Sequence, residues 1–94
     1  MAKYDATERF WKDYSVLGPH KKTAFMDAVE KFKEDLPSSQ FRKGLRVKGV
    51  QNAKGVFEMT WADDGRATFE YGRADGDLCI VWRRVGTHQI FDSP

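Results

Sequence analysis

The chain has 94 residues and a mass of 10.8 kDa, enough for one domain, residues 1–94, and too little for two. It is 40% hydrophobic and 32% charged, and without an apolar run of about 18 residues or a charged-then-apolar start we expect neither a membrane span nor a signal peptide. Sixteen basic against fourteen acidic residues leave a net charge of +2, and one cysteine and two distant histidines exclude an internal disulfide and a metal-ligand cluster.

The first part of the sequence predicts a short strand followed by two helices. Residues 2–6 alternate as a strand does, and Thr7 is placed to cap a helix with Glu8 in its first turn. Gly18 and Pro19 end that helix and begin the next, which Pro37 ends. The two helices form a predicted antiparallel hairpin. Its buried stripes are Phe10, Tyr14 and Leu17 in the first helix and Phe25, Val29, Phe32 and Leu36 in the second.

From residue 45 onward the period changes to that of strands. Alternation covers residues 45–48, 56–61, 67–71 and 78–85, separated by turn-forming residues. The pattern predicts an α+β fold, in which the N-terminal helical hairpin packs on one face of a mainly antiparallel sheet of four to five strands.

The apolar pattern also predicts the register of the hairpins. A three-residue loop, Asp63 to Gly65 with Gly65 left-handed, pairs Trp61 with Ala67, Met59 with Phe69 and Phe57 with Tyr71. A two-residue turn at Asp75–Gly76 then sets Tyr71 against Ile80 and Phe69 against Trp82. The residues that should face the helices are Phe57, Met59, Trp61, Phe69, Tyr71, Ile80 and Trp82. The opposite face, with no segment left to cover it, should hold Glu58, Thr60, Arg66, Thr68, Glu70, Val81 and Arg83.

Basic residues are unevenly distributed along the chain. Between Pro37 and Phe57 there are five basic residues and no acidic one: Arg42, Lys43, Arg46, Lys48 and Lys54. Basic residues interleaved with aromatics are typical of surfaces that contact a polyanion. The same charge pattern is also compatible with an ordinary solvated face. A polar, open sheet face is likewise common in folds that use it for no function.

The last strand and its exit carry the densest chemical signal, from Val81 to Phe91. A histidine titrates near neutral pH, and an arginine can hold a phosphate and stabilise its developing charge. His88 with Arg83 and Arg84 nearby therefore suits cleavage of RNA by its own 2′-hydroxyl, without a metal. A histidine near a C-terminus is also often an ordinary surface residue. His20 and Cys79 carry no comparable signal, and we interpret Cys79 as structural.

The order of elements and the ending Arg84-Val85-Gly86-Thr87-His88, followed by Phe91, resemble the RelE/ParE superfamily of bacterial toxins from type II toxin–antitoxin pairs. The ending is similar to the Arg-x-Gly-Thr-His ending of YafQ-type ribonuclease toxins. The resemblance implies a ribosome-dependent endoribonuclease that cuts messenger RNA, acts without a cofactor or metal, resides in a bacterial cytoplasm and is bound by a cognate antitoxin.

The resemblance also implies roles for individual residues. His88 matches a histidine used in acid–base chemistry, Arg84 an arginine that stabilises the scissile phosphate, and Arg66 a catalytic arginine of RelE-type members. The residues expected to contact the RNA are Lys48, Arg46, Arg83 and Phe91, the last as a base-stacking aromatic. The strand alternation favours Arg83 on the open face with Arg66, whereas the resemblance favours Arg84. Both arginines share a face only if the strand bulges near Gly86.

The sequence departs from the YafQ pattern in its middle. No histidine lies between His20 and His88, Trp61 stands where one is expected, and Asp63 and Asp64 lie near the place of a family aspartate. Two alternatives therefore remain open: a ParE-like toxin that binds DNA gyrase, and an inactive interaction module of the same fold. The oligomeric state, the antitoxin and the base preference are not predicted.

Overall fold

A computed structural model describes residues 2–94 of the chain. The fold contains one sheet of five strands. In chain order the elements are β1 (Lys3–Ala6), α1 (Glu8–Ser15), α2 (Pro19–Asp35), β2 (Lys48–Gly49), β3 (Phe57–Thr60), β4 (Arg66–Ala74) and β5 (Asp77–Gly86), with short 3-10 helices at Leu36–Ser38, Lys43–Leu45 and His88–Asp92. The strand order is β1-β5-β4-β3-β2, in which β1 runs parallel to β5 and the other neighbours are antiparallel. The predicted α+β fold is confirmed.

Both helices begin where the sequence predicts. The Thr7 hydroxyl accepts a hydrogen bond from the Phe10 amide, which satisfies one of the free donors at the start of α1. Gly18 is the N-cap of α2, and Pro19 occupies its first turn, where a missing N–H costs nothing. The predicted stripe of α2 is buried in the core, where Phe32 is fully buried and contacts the aromatic rings of Phe69 and Trp82.

The predicted strand at residues 45–48 is wrong for most of its length. Lys43–Leu45 forms a 3-10 turn, Arg46 follows with a left-handed φ of 47°, and only Lys48–Gly49 pairs with β3. The physical reason is that Leu45, only 3% exposed, packs into the core from a tight turn rather than from an extended segment. An alternating pattern over only four residues is too short to distinguish an extended strand from a tight turn.

The predicted β3–β4 register is wrong by two residues. Phe57 pairs with Phe69, Met59 with Ala67 and Thr60 with Arg66, so the connection spans residues 61–65 rather than three residues. Its backbone is closed by bonds from Trp61 N–H to the Gly65 carbonyl and from Gly65 N–H to the Ala62 carbonyl. Gly65 does not have the predicted left-handed conformation. A shift of two residues preserves the face of every side chain, so Met59 and Phe69 are still buried.

The β4–β5 hairpin has the predicted two-residue turn and register. Asp75 and Gly76 both have positive φ, 54° and 84°, as a type I′ turn requires, and Tyr71 pairs with Ile80 and Phe69 with Trp82. Tyr71 is nevertheless 42% exposed, and among the described residues its ring contacts those of Phe57 and Phe69.

A β-bulge interrupts the pairing of β4 with β5. Thr68 pairs with Arg84 and Phe69 with Trp82, which leaves Arg83 as the extra residue on β5. Trp82 and Val85 are therefore both in the helix-facing core, although they are three residues apart. The bulge that allows Arg83 and Arg84 to share a face lies at Arg83 itself.

The expectation that nothing covers the second sheet face is wrong at one end of the sheet. The C-terminal 3-10 helix His88–Asp92 contacts β4 and β5, and its Ile90 is only 4% exposed. Thr68 on β4 is fully buried, and its hydroxyl donates to the carbonyl of Pro94. The last residues therefore return over the face that the helices leave open.

Candidate functional site

The sheet register brings the C-terminal segment beside the start of β4. Arg66, the first residue of β4, pairs with Gly86, the last residue of β5. The loop before β4 carries Asp64, and the segment after β5 carries His88. The Thr87 hydroxyl accepts a hydrogen bond from the Gln89 amide and so begins the C-terminal 3-10 helix with His88 as its first residue. Residues 24 positions apart in sequence thus meet at one edge of the fold.

His88 and Asp64 form a direct contact at this edge. The imidazole Nδ1 of His88 lies 2.5 Å from a carboxylate oxygen of Asp64, and both side chains are solvent-exposed, at 58% and 67%. The hydrogen bond from His88 lowers the pKa of Asp64 below its usual range, and the charge of Arg66 contributes in the same direction. With Nδ1 held by the carboxylate, Nε2 is the ring nitrogen left to exchange a proton with a ligand.

Phe91 lies beside the histidine on the same 3-10 helix. Its ring centroid is 5.9 Å from that of His88, with the two rings at 68°. Phe91 is partly exposed, so one surface of an aromatic ring is presented next to the titratable group. The structure thus brings together two residues that the sequence singled out, together with Asp64.

Arg66 holds the loop that carries Asp64. One guanidinium nitrogen, Nη1, donates to the carbonyls of Ala62, Asp63 and Gly65, at 3.2, 3.2 and 2.9 Å. The residue is only 9% exposed, yet its other guanidinium nitrogens make no hydrogen bond within residues 2–94. Arg66 can therefore fix the loop and still donate to an anion.

A concave cleft of about 820 Å³ lies between α2, the turn at residues 42–46 and the β3–β4 loop. Basic side chains outnumber acidic ones along its wall, so it favours an anionic ligand. The charged residues that line it are Lys31, Arg42, Arg46 and Arg66, with Asp27 and Asp63. The sequence reasoning missed Lys31 and Asp27, whose separation of four residues on α2 puts them on one helix face.

Arg42 contributes less free charge to the cleft than its position suggests. Its guanidinium bonds both Asp35 and Glu34, with contacts of 2.8 Å to each. The hydrogen bond from Arg42 lowers the pKa of Asp35 to about 2, so this carboxylate remains ionised and paired at neutral pH. Arg46 makes no such ion pair among the described residues.

Arg84 does not line the cleft. Its guanidinium bonds both carboxylate oxygens of Asp13 on α1, at 2.7 and 3.2 Å, and the carbonyl of Ser93 at 2.9 Å. Both members of the ion pair are largely buried, at 13% and 15% exposure. Asp13 also accepts from the Val85 amide. Arg84 therefore ties α1 and the C-terminal segment to β5.

The remaining two predicted residues also lie outside the cleft. Arg83 bonds Glu70 and the carbonyl of Pro94, both at 3.1 Å. Lys48 is exposed on the short edge strand β2, opposite Glu58. Within residues 2–94, no cluster of histidine, cysteine, aspartate or glutamate side chains has the composition of a metal site, and no helix is long and apolar enough to span a membrane.

Comparison with known proteins identifies relatives by fold. A toxin–antitoxin complex from E. coli, DinJ–YafQ, contains a chain that superposes with a TM-score of 0.66 and 17% identity, over 95% of this chain and 96% of that one. For the RelB–RelE antitoxin–toxin complex of Methanococcus jannaschii the values are 0.63 and 18%, over 96% and 99%. The YoeB/ParE toxin of Agrobacterium tumefaciens gives 0.68 and 10%, over 92% and 98%.

No family model and no curated protein sequence matches the chain. The chain shares the fold of the YafQ, RelE and YoeB/ParE structures over nearly its whole length.

Proposed function

We propose that this chain is the toxin of a type II toxin–antitoxin pair and acts as a ribosome-dependent endoribonuclease on messenger RNA. The observation that carries the proposal is the contact of His88 with Asp64. Neither residue lines the basic cleft, but Asp63 and Arg66, from the same stretch of chain as Asp64, do. A carboxylate that holds one imidazole nitrogen fixes the tautomer and leaves the other nitrogen for proton transfer. A protein that acted only by binding would have no need of such an arrangement.

His88 supplies the acid–base chemistry of the proposed reaction. In the tautomer that donates Nδ1–H to Asp64, Nε2 has a free lone pair and accepts the proton of the ribose 2′-hydroxyl. The 2′-oxygen then attacks the adjacent phosphorus, and the bond from phosphorus to the 5′-oxygen breaks. The products are a 2′,3′-cyclic phosphate and a 5′-hydroxyl, whose oxygen takes its proton from water, while Nε2 releases the proton of the 2′-hydroxyl to solvent. The nucleophile belongs to the RNA, so the chemistry requires neither a metal nor a cofactor.

The arginines of the cleft stabilise the phosphate as its charge develops. Two guanidinium nitrogens of Arg66 bond no group within residues 2–94, and Arg46 lines the same cleft. Preorganised donors of this kind stabilise a transition state without having to reorganise. Phe91 stacks on a base next to the scissile bond, a contact worth about 1–3 kcal/mol.

Arg84 has a positioning role in this proposal rather than a direct contact with the phosphate. Its ion pair with Asp13 and its bond to the Ser93 carbonyl hold the C-terminal segment that carries His88. Lys48 on the edge strand adds positive charge for contact with the RNA backbone. Arg83 adds less, because Glu70 offsets its charge.

The partners follow from the same proposal. The DinJ–YafQ and RelB–RelE structures that share this fold are toxin–antitoxin complexes, which supports a cognate antitoxin as the binding partner here. The ribosome and messenger RNA are the proposed targets, in a bacterial cytoplasm. A ParE-like gyrase-binding toxin, or an inactive interaction module, would share the fold but leave the His88–Asp64 contact without a use.

The test is expression of the chain alone in bacteria, with primer extension on abundant messages. We expect cuts within translated regions that disappear when translation is blocked. His88→Ala should abolish them, whereas His20→Ala, an exposed histidine in the first turn of α2, should leave them unchanged. Growth arrest without cuts would favour the gyrase-binding alternative, and no arrest would favour the interaction module.

A further inference from the structure

The loop between β3 and β4, residues 61–65, must hold an exposed carboxylate steadily against an exposed imidazole. Asp64 is at the tip of this loop, with 67% of its side chain exposed, and its only side-chain hydrogen bond within residues 2–94 is the one to His88. The orientation of the carboxylate therefore depends on what fixes the backbone on either side of it.

Gly65 lies in very close contact with the side chain of Trp61. A Cβ atom on Gly65 would lie 2.6, 2.7 and 2.9 Å from the Cδ2, Cε2 and Cε3 atoms of Trp61. These atoms belong to the indole ring system, so the ring lies directly over the Gly65 backbone. Gly65 does not have positive φ. Glycine is thus required here for the close approach of the ring and not for an unusual backbone conformation.

The ring that covers Gly65 is itself supported from behind. Trp61 contacts Phe25 of α2 edge to face, with 6.1 Å between ring centroids, and Phe25 is only 2% exposed. The backbone bonds from Trp61 N–H to the Gly65 carbonyl and from Gly65 N–H to the Ala62 carbonyl close the loop across its base. Because α2 supports the indole, a side chain at position 65 would displace the loop more readily than the ring.

We propose that Trp61 and Gly65 are positioning residues, and that the indole packed on the Gly65 backbone fixes the loop so that Asp64 meets His88. The catalytic consequence rests on the proposed function, whereas the structural claim stands without it. Trp61 also lines the cleft, and in this proposal both residues affect catalysis through Asp64. Arg66 completes the clamp through its bonds to three loop carbonyls.

The structural claim is tested with Gly65→Ala, and with Gly49→Ala as the matched control. Gly49 has open space at its Cβ position and an ordinary φ, so the same methyl group meets nothing there. ¹⁵N-resolved NMR of the His88 imidazole reports its tautomer and its Nδ1–H bond. We expect Gly65→Ala to lose the Nδ1–H signal and its single tautomer, and Gly49→Ala to retain both. Retention in a folded Gly65→Ala protein would overturn the proposal.

A second variant decides the matter if Gly65→Ala does not fold. Trp61→Leu removes the indole face and leaves Gly65 unchanged, and we expect it to lose the same His88 signal. A folded Trp61→Leu protein that retained the signal would refute the clamp. Neither NMR measurement depends on catalysis, so both remain decisive even if the chain cleaves no RNA.

The catalytic consequence is measured as cleavage on purified ribosomes. A misplacement of about 1 Å can cost up to ~10²-fold in rate, and we expect a loss of that order for Gly65→Ala. The double variant Gly65→Ala/Asp64→Asn should be no slower than Asp64→Asn, because both changes break the same contact. If the rate losses of the two single variants multiplied in the double variant, Gly65 would act independently of Asp64. If the unmutated protein did not cleave messenger RNA on ribosomes, the proposed function would be refuted instead.

Discussion

The ion pair of Arg84 with Asp13 allows a positioning role to be separated from a phosphate-binding role. We consider the truncations Arg84→Ala and Asp13→Ala. Arg84 makes two bonds to the Asp13 carboxylate and one to Ser93, and Asp13 also accepts from the Val85 amide. Either truncation leaves its partner charged and largely buried, since the two side chains are only 13% and 15% exposed. The cost is therefore that of an uncompensated charge rather than that of a surface salt bridge.

The magnitude follows from the burial of the pair. Breaking a fully buried pair costs about 3–5 kcal/mol, and an exposed pair contributes about 0–1 kcal/mol. Because some solvent reaches both side chains, we expect a loss of about 2–4 kcal/mol for either truncation. A domain of this size loses about 4–8 °C in Tm for each kcal/mol, so Tm should fall by roughly 10–30 °C. The exposed Arg73 provides a control, and Arg73→Ala should change stability by less than about 0.5 kcal/mol.

The assay is urea denaturation of the two single variants and of the double variant, followed by cleavage at a temperature where all are folded. A positioning role predicts that Arg84→Ala and Asp13→Ala lower stability alike, and that the double variant loses less than the sum of the two. It also predicts that Asp13→Ala slows cleavage, although Asp13 lies on α1, away from the cleft. An Arg84→Ala protein of unchanged stability that cannot cleave, beside a fully active Asp13→Ala protein, would refute this reasoning and restore Arg84 as a phosphate ligand.

Three further predictions concern charge. His88→Ala should slow cleavage by about 10²–10⁴-fold, and Asp64→Asn should slow it by less, as measured by single-turnover kinetics. Equal activity in the unmutated protein and both variants would contradict the acid–base role of His88. The folded-state pKa of Asp35 is depressed to about 2, so its contribution to stability is present above its usual pKa and is lost as pH falls towards 2. Arg42→Gln should return the pKa of Asp35 to its usual range in a carboxyl NMR titration. An unchanged pKa would count against the Arg42–Asp35 pair as its cause. Ribosome binding should weaken as the salt concentration rises, and Arg46→Gln should reduce the slope of the logarithm of the binding constant against the logarithm of the salt concentration. An unchanged slope would show that Arg46 does not contact the RNA.

The sequence predicted the helices well because their signals are local. A capping hydroxyl at Thr7, a proline at Pro19 and a regular apolar stripe each act within a few residues of the chain. The type I′ turn at Asp75–Gly76 is equally local, since both positions need positive φ. The β3–β4 loop was misjudged because its length depends on Trp61 packing against α2, a contact that no neighbouring residue encodes.

The candidate site was predictable in its parts and not in their arrangement. The ending at His88 and the arginine at position 66 stand out by residue type and by resemblance. The contact with Asp64 depends on the register that pairs Arg66 with Gly86, so it appears only when two distant segments meet. Arg84 was assigned to the phosphate by the family resemblance. Its partner Asp13 lies 71 residues away, and spacing along the chain does not reveal such a partner.

The bulge at Arg83 links the packing of the core to the geometry of the site. In regular alternation Trp82 and Val85 would point to opposite faces, and one of them would leave the core. The extra residue lets both be buried, at 6% and 2% exposure, and turns two consecutive arginines towards the C-terminal segment. The bonds of those arginines to the last two carbonyls hold that segment against the sheet, where His88 reaches Asp64. The core packing of β5 therefore determines where the imidazole lies.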